Sequence, residues 1–153
     1  MKKIALFLFL FGFLTACEYE DPSIYGYSNF KFGKLEGKTL NASFDVTVEN
    51  PNTFGFKVKK GDLNLFLNDV EMGQVLLTDK LKVQKKSEKQ YRVPVKLQLK
   101  DGVLLKLPKL LTASSFKLEL KGKIRASAFG FGKTVQVHET KNVSKNEVQF
   151  EGF

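Results

Sequence analysis

Apolar and polar side chains alternate with a period of two through much of the chain after residue 40. The apolar members of these runs are Phe44, Val46 and Val48; Leu63, Leu65 and Leu67; Val93, Val95, Leu97 and Leu99; Phe116, Leu118, Leu120 and Ile124; Val135 and Val137; and Val148 and Phe150. Successive side chains of a strand point to opposite faces of a sheet, so each run places its apolar residues on one face. Several such strands at short spacing predict an all-β fold, with two antiparallel sheets packed face to face.

Turn-forming residues separate the runs. The segment Asn50-Pro51-Asn52 ends the strand that contains Val46, which is predicted to point inward while Thr47 points outward. Asn68-Asp69 is predicted to form a two-residue hairpin turn, because both residue types tolerate positive φ. Pro94 lacks an N–H group and is therefore expected at a sheet edge or beside a bulge.

One segment follows a helical period instead. After Asp101, a suitable N-cap, the apolar residues are Val103, Leu104, Leu107, Leu110 and Leu111. Pro108 is expected to kink or restart the helix. The pattern predicts one short helix, or two helical turns, covering the open end of the core. Insertion of this leucine-rich segment into a membrane is the alternative.

The first residues have the pattern of a secretory signal. Lys2 and Lys3 precede an unbroken apolar run from Ile4 to Leu14. A helix of that run would reach about 16 Å, whereas a spanning helix needs about 20 apolar residues. The charged start, the short apolar run and the small residues after it predict a signal peptide over residues 1–16.

The end of this signal, Leu14-Thr15-Ala16-Cys17, resembles the lipobox of bacterial lipoproteins. The resemblance implies cleavage before Cys17 and acylation of its thiol. Two or more acyl chains hold a protein stably on a membrane. Glu18, where inner-membrane lipoproteins tend to have Asp, favours the outer membrane of a bacterial envelope. Residues 17–27 are then expected to be a lipid-anchored tether, and residues 28–153 the folded domain.

The chain is basic. Its formal net charge of +9 falls to +7 when Lys2 and Lys3 leave with the signal. Lys57, Lys59 and Lys60 form one cluster, and a second lies within residues 80–89. A basic surface attracts anionic lipid, glycan or an acidic protein partner. The alternative is an ordinary solvated surface, since the lysines are spread out. Export and the lack of an arginine-rich helix argue against nucleic acid.

The sequence offers no catalytic, metal or cofactor site. The chain contains 1 Cys and 1 His, which excludes an internal disulfide, a cysteine zinc site and a two-histidine metal motif. His138 has the outward parity of its strand, and no Gly-x-Ser-x-Gly nucleophile elbow occurs. Gly130-Phe131-Gly132 lacks the context of a phosphate loop and is interpreted as a strand bend or bulge. The chain is therefore predicted not to be an enzyme.

Several of these motifs together resemble a known family. In order, they are the alternating strand that ends in Asn50-Pro51-Asn52, the Leu63-x-Leu65-x-Leu67 strand, Gly73, and Val93-Pro94-Val95. This order is similar to the type 2 late-embryogenesis-abundant domain, also called the water-stress and hypersensitive-response domain, over roughly residues 28–138. The resemblance implies an immunoglobulin- or fibronectin-III-like antiparallel β-sandwich of about seven strands with one short helix. It also implies no enzymatic activity and an association with stress tolerance.

Two function classes remain. The first is a non-catalytic, lipid-anchored module of the cell envelope that protects under stress or binds a partner or the membrane. The second is a carrier of a lipid or another apolar ligand, which has been suggested for some members of the resembled family. A cavity larger than about 300 Å³ between the sheets would favour the carrier, and a filled core the module. The sequence does not indicate an oligomeric state.

Overall fold

The computed structural model describes residues 19–106 and 112–150, and the predicted signal and Cys17 lie outside them. The all-β prediction is confirmed. The strands are β1 Ser23–Glu36, β2 Thr39–Asn50, β3 Phe56–Leu67, β4 Val70–Leu77, β5 Leu81–Val83, β6 Ser87–Leu99, β7 Ser115–Ala128, β8 Phe131–Ser144 and β9 Val148–Phe150. A 3₁₀ turn, Lys145–Glu147, links β8 to β9.

The strands form one continuous hydrogen-bonded sheet rather than two separate sheets. Its order is β8-β7-β3-β4-β6-β2-β1-β9, with β5 paired to the beginning of β3. Residues 19–106 and 112–150 form nine strands, where about seven were expected. Two of them, β5 and β9, have only three residues each and are too short to show an alternating pattern. All pairs are antiparallel except β1 with β9, which is parallel.

The sheet curls so that its two halves enclose one core. The short strand β4 pairs with β3 on one side and β6 on the other, and thereby joins the halves. Val46 is 4% exposed, as its inward parity predicted, and Thr47 is half-buried on the other face. Apolar side chains from both halves pack into a single cluster that contains Phe30, Leu40, Val48, Leu63, Leu67, Met72, Val75, Val93, Val95, Leu97, Leu99, Phe116 and Val143.

The first strand begins inside the segment that the sequence assigned to a tether. β1 starts at Ser23, and its pairing with β2 starts there as well. The register shifts three times along this pair, and Gly26 and Asn29 have positive φ of 64° and 50°. Such bulges break the period of two, so the strand carries little periodicity in its sequence. The folded domain therefore extends further toward Cys17 than residue 28.

The predicted hairpin turn is confirmed. Asn68 and Asp69 have φ of 48° and 64°, and they connect the paired residues Leu67 and Val70. Pro94 lies in β6, which is an interior strand. It falls one residue beyond the last β4–β6 pair, so its missing N–H breaks no hydrogen bond of that ladder.

The helical prediction is confirmed in part. Residues 103–106 are helical, and Val103 is buried in the core, as expected of a segment that covers the end of the sheet. Leu104 and Leu105 are exposed. The remainder of the predicted helix, residues 107–111, lies outside the described residues.

Candidate functional site

The Asn50-Pro51-Asn52 turn is a buried hydrogen-bonded hub. Asn50 is fully buried, and its amide Nδ2 donates to the carbonyl oxygens of Phe54 and Gln84 at 2.9 and 2.8 Å. Its Oδ1 accepts from the backbone N–H and the side-chain amide of Asn52 at 3.2 and 3.0 Å. All four hydrogen-bonding positions of this side chain are therefore used inside the protein.

The same hub fixes the first described residues of the chain. The N–H of Glu20 donates to Asn52 Oδ1 at 3.0 Å, and Asn52 Nδ2 donates to the Glu20 carbonyl at 2.6 Å. This reciprocal pair resembles a short piece of β-ladder made with a side-chain amide. The turn therefore positions the segment that follows Cys17, and it leaves few polar atoms for a ligand.

An open groove and a set of aromatic rings lie beside this hub. The beginnings of β1, β3 and β8 and the end of β7 meet here, around a groove of about 630 Å³. Tyr19 stacks on Phe54 with ring centroids 6.5 Å apart, and Phe54 contacts Phe129 at 5.4 Å. Phe129 and Phe131, at the tip of the β7–β8 hairpin, are largely exposed. We call Tyr19, Phe54, Phe129 and Phe131 the aromatic end.

The aromatic end was not predicted from the sequence. The sequence predicts a bend or bulge within a strand at Gly130-Phe131-Gly132. In the structure, Phe129 and Gly130 instead form the two-residue turn of the β7–β8 hairpin. The available signal was the pair of phenylalanines flanking Gly130. Only the folded chain brings them close to Tyr19 and Phe54.

The three predicted lysines lie together on the outer surface. Lys57 and Lys60 point outward on β3, and the register shift between Val58 and Lys60 leaves Lys59 unpaired as a bulge. Their neighbours add positive charge, because Lys57 pairs with Lys82 on β5 and Lys60 with Arg125 on β7. No carboxylate of the described residues lies within ion-pair distance of these five side chains.

A small cavity lies between the two halves of the sheet. Its volume is about 100 Å³, and its wall is almost entirely aliphatic and aromatic, with Phe30, Phe44 and Leu120 among the lining side chains. Glu139 and Lys141 of β8 also line it. Lys141 Nζ donates to the Tyr27 carbonyl of β1 and pairs with Glu147 at 2.9 Å, which links the two facing edges of the curled sheet.

Two polar clusters occur on the outer faces. Asp45 is 8% exposed, and its hydrogen bonds from Arg92 and Asn29 hold its pKa below the ordinary value. The carboxylate of Glu119 lies 2.8 Å from His138 Nε2 and 3.0 Å from Lys121 Nζ. Its hydrogen bond with His138, and to a lesser extent that with Lys121, lower the pKa of the Glu119 carboxyl group. No serine, threonine or cysteine nucleophile hydrogen-bonds to His138 within residues 19–106 and 112–150, so the pair lacks a partner for nucleophilic chemistry.

Potential metal ligands do not cluster in the described part of the chain, where no group of three or more His, Cys, Asp or Glu side chains could hold an ion. Over the same residues, no helix is long and apolar enough to cross a membrane.

Comparison with known proteins agrees with this fold. The family model described as late embryogenesis abundant protein matches residues 45–141, from β2 into β8, and the chain belongs to that family. The family is generally non-enzymatic. The matched segment contains the Asn50-Pro51-Asn52 hub, Gly73 and Pro94, on which the resemblance in the sequence rested.

Solved structures are similar in fold. A crystal structure of a protein from Archaeoglobus fulgidus has 10% sequence identity, covering 83% of this chain and 97% of that chain, with a TM-score of 0.50. A solution structure of a protein from Arabidopsis thaliana has 12% identity, covering 87% and 86% of the two chains, with a TM-score of 0.52. No curated protein is similar to the chain at a significant level.

Proposed function

We propose that this protein is a non-catalytic module of the bacterial cell envelope, anchored to a membrane through an acylated Cys17. Residues 1–16 act as its signal peptide, and Glu18 directs it to the outer membrane. One observation carries the proposal. The chain is already hydrogen-bonded into the domain at Glu20, three residues after Cys17, so an acylated thiol would hold this end directly against the lipid.

Metabolic labelling tests the anchor. Cells expressing the protein receive an alkyne analogue of palmitate, and the purified protein is examined by mass spectrometry. We expect acyl chains on a mature chain that begins at Cys17, and no label on a Cys17→Ser variant. Label that persists in the variant, or an unacylated mature terminus, would refute the anchor. Separation of inner and outer membranes then tests the expected location.

The basic surface around Lys57, Lys59 and Lys60 is the proposed contact for an anionic partner, whether lipid, glycan or protein. Its charges are exposed and face no carboxylate, so they are available to a ligand. The test compares binding of an unacylated chain that starts at Glu18 to vesicles of phosphatidylglycerol with phosphatidylcholine and of phosphatidylcholine alone. Binding should weaken as salt shortens the Debye length to about 8 Å at physiological ionic strength.

A matched control separates local from overall charge. Changing Lys57, Lys59 and Lys60 to Gln should reduce binding to the anionic vesicles. Three exposed lysines elsewhere, Lys34, Lys96 and Lys145, supply the same loss of charge when changed to Gln. Equal effects of the two triple variants would remove the basic surface as a specific contact.

The alternative is a carrier of an apolar ligand. The observation in its favour is the apolar wall of the interior cavity. The volume of about 100 Å³ is below the 300 Å³ or more of a typical ligand pocket, so carriage in this cavity would require the two halves of the sheet to separate. The open groove beside the hub, at about 630 Å³, is large enough to hold a ligand without that movement. Lipid extraction and mass spectrometry of the purified protein decide the matter. A stoichiometric lipid favours the carrier, and a ligand-free protein favours the module.

Two finer features complete the proposal. The curled sheet is a variant of the immunoglobulin- or fibronectin-III-like sandwich, in which β4 bridges the two sheets; the single core shared by both halves supports this. Membership in the late-embryogenesis-abundant family supports the proposal that the protein protects under stress. Loss of survival after drying in a strain that lacks the protein, restored by the intact gene, would support that role.

A further inference from the structure

Two phenylalanines at the aromatic end are exposed to an unusual degree. Phe129 and Phe131 are 81% and 83% exposed at the tip of the β7–β8 hairpin. The described part of the chain has one comparably exposed large apolar side chain, Leu105 at 87%, which lies beyond β6 at the opposite end of the sheet. Adjacent exposed aromatic rings commonly mark a surface that binds something.

The hairpin turn shows that the fold does not require Phe129. Phe129 and Gly130 have φ of 49° and 86°, both positive, as in a type I′ turn. Asn68 and Asp69 occupy the same kind of turn with φ of 48° and 64°, and Asn and Asp tolerate this conformation. A bulky side chain with positive φ is strained. The tip therefore carries a phenylalanine where the backbone would favour Asn, and this points to a role outside the fold.

The position of the aromatic end follows from covalent geometry. Tyr19 belongs to it, and Cys17 precedes Tyr19 by two residues. Consecutive Cα atoms are about 3.8 Å apart, so the two peptide units before Tyr19 can reach no farther than about 7.6 Å from its Cα. Glu20 is held by Asn52, which prevents the segment from swinging away from the domain. An acyl chain on Cys17 would enter the membrane beside these rings.

We propose that the aromatic end docks into the interface of the bilayer that holds the anchor, with Phe129 and Phe131 inserted among the lipid headgroups. The proposal rests on the proposed acylation of Cys17, which sets which end of the domain meets the lipid. Tyr19 adds a ring with a polar hydroxyl, a combination suited to a membrane interface. The domain is thereby given a fixed orientation, with the end that carries Leu105 directed away from the membrane.

The charged side chains beside the rings are compatible with a bilayer as the binding partner. Lys133 Nζ lies 5.0 Å from the centre of the Tyr19 ring and 3.9 Å from Asp21 Oδ1. Asp21 and Glu20 offset Lys133, while the guanidinium of Arg125 lies beside Gly132, so the basic surface borders the aromatic end. Phosphatidylcholine carries no net charge, so docking of the aromatic end into a bilayer of this lipid is expected to depend on the rings and to be insensitive to salt, in contrast to binding of the basic surface to anionic vesicles.

Single tryptophan substitutions test the docking. The chain contains no tryptophan, so each substitution supplies a unique fluorophore. Phe131→Trp and its control Leu105→Trp are made in the full chain, processed in cells and reconstituted into vesicles of dibrominated phosphatidylcholine. We expect the tryptophan emission of Phe131→Trp to be blue-shifted and to be quenched by the brominated lipid, with little change at moderate salt. The emission of Leu105→Trp should remain unquenched. Absence of quenching at residue 131, or equal quenching of both, would overturn the proposal.

The acylation state of Cys17 distinguishes a failure of the docking proposal from a failure of the proposed lipid anchor. Mass spectrometry of the same preparations reports whether Cys17 carries lipid. Acylated protein without quenching at residue 131 refutes the docking and leaves the anchor standing. Unacylated protein refutes the anchor and, with it, the docking argued here. A blue shift of Phe131→Trp with monomeric fatty acid below its micelle concentration, and none with vesicles, would assign the groove to a ligand and overturn the docking.

A second variant, which is expected to fold at least as stably as the wild type, tests the docking if Phe131→Trp fails to fold. Phe129→Asn gives the turn the residue its backbone favours, and it should raise the free energy of unfolding. In the unacylated chain, the same change should weaken partition into phosphatidylcholine vesicles about tenfold, the ratio expected for the loss of one inserted phenylalanine. A variant that is more stable and partitions unchanged would contradict the proposal.

Discussion

Replacement of Asn50 by Ala is expected to be the most damaging single change to a polar residue in this protein. The side chain is 0% exposed and makes four hydrogen bonds, two as donor and two as acceptor. At about 1 kcal/mol for each bond, their loss lowers the free energy of unfolding by roughly 4 kcal/mol. The carbonyls of Phe54 and Gln84 would also lose a donor, and the pairing of Asn52 with Glu20 would lose its support.

Urea unfolding followed by circular dichroism measures this loss, because the chain has no tryptophan to report by fluorescence. The transition midpoint should fall with an unchanged slope, and the melting temperature should drop by roughly 10 °C or more. Asn142→Ala, at an exposed position on β8, is the control and should change stability by no more than about 0.5 kcal/mol. Similar losses in the two variants would show that the hub does not stabilise the fold as argued.

Three further outcomes are expected. Gly73→Ala should unfold or severely destabilise the domain, because an added Cβ would lie 1.9 Å from a backbone carbonyl oxygen of β6; a soluble variant with native melting would refute this. Val46→Asp should lower the free energy of unfolding by at least about 3 kcal/mol, and Thr47→Asp should change it by no more than about 1 kcal/mol. Equal melting shifts for the two variants would contradict the inward assignment of Val46. Because Arg92 lowers the pKa of Asp45, their pairing stabilises the fold above about pH 4 and is lost as pH falls through the lowered pKa. Acid unfolding should therefore be shallower in Asp45→Asn, and parallel pH curves would argue against this.

Strand parity could be read from the sequence wherever a strand pairs without interruption. β2 and β6 pair over their whole common length, from Thr39 with Gln98 to Asn50 with Ser87. Their predicted inward residues are buried except Phe44, which is half-buried and packs against the core. β3 is less regular, because the bulge at Lys59 shifts the alternation of inward and outward side chains by one residue. Val58 and Leu63 therefore both point inward. A bulge of one residue leaves no local signal in the sequence.

Long-range partners account for most of what the pattern missed. Asp45 has outward parity, which predicts a solvated carboxylate, but Arg92 covers it from the neighbouring strand β6, which is distant in sequence. Likewise, Asn50 and Asn52 were recognised as a turn, while their clamp on Glu20 depends on how the chain folds back over the turn. The basic surface was found from local composition, and its completion by Lys82 and Arg125 required the strand order.

The parallel pairing of β1 with β9 has a consequence for the order of events in folding. Phe30 pairs with Val148, so β1 gains its second neighbour only from a strand that is synthesised long after it. Contacts so distant in sequence are slow to form, and β1 presents an open edge until they do. If the chain is exported with its N-terminus leading, as proposed above, this edge of β1 stays unpaired until β9 has emerged. A chaperone that shields strand edges would be of most use to this protein during that interval.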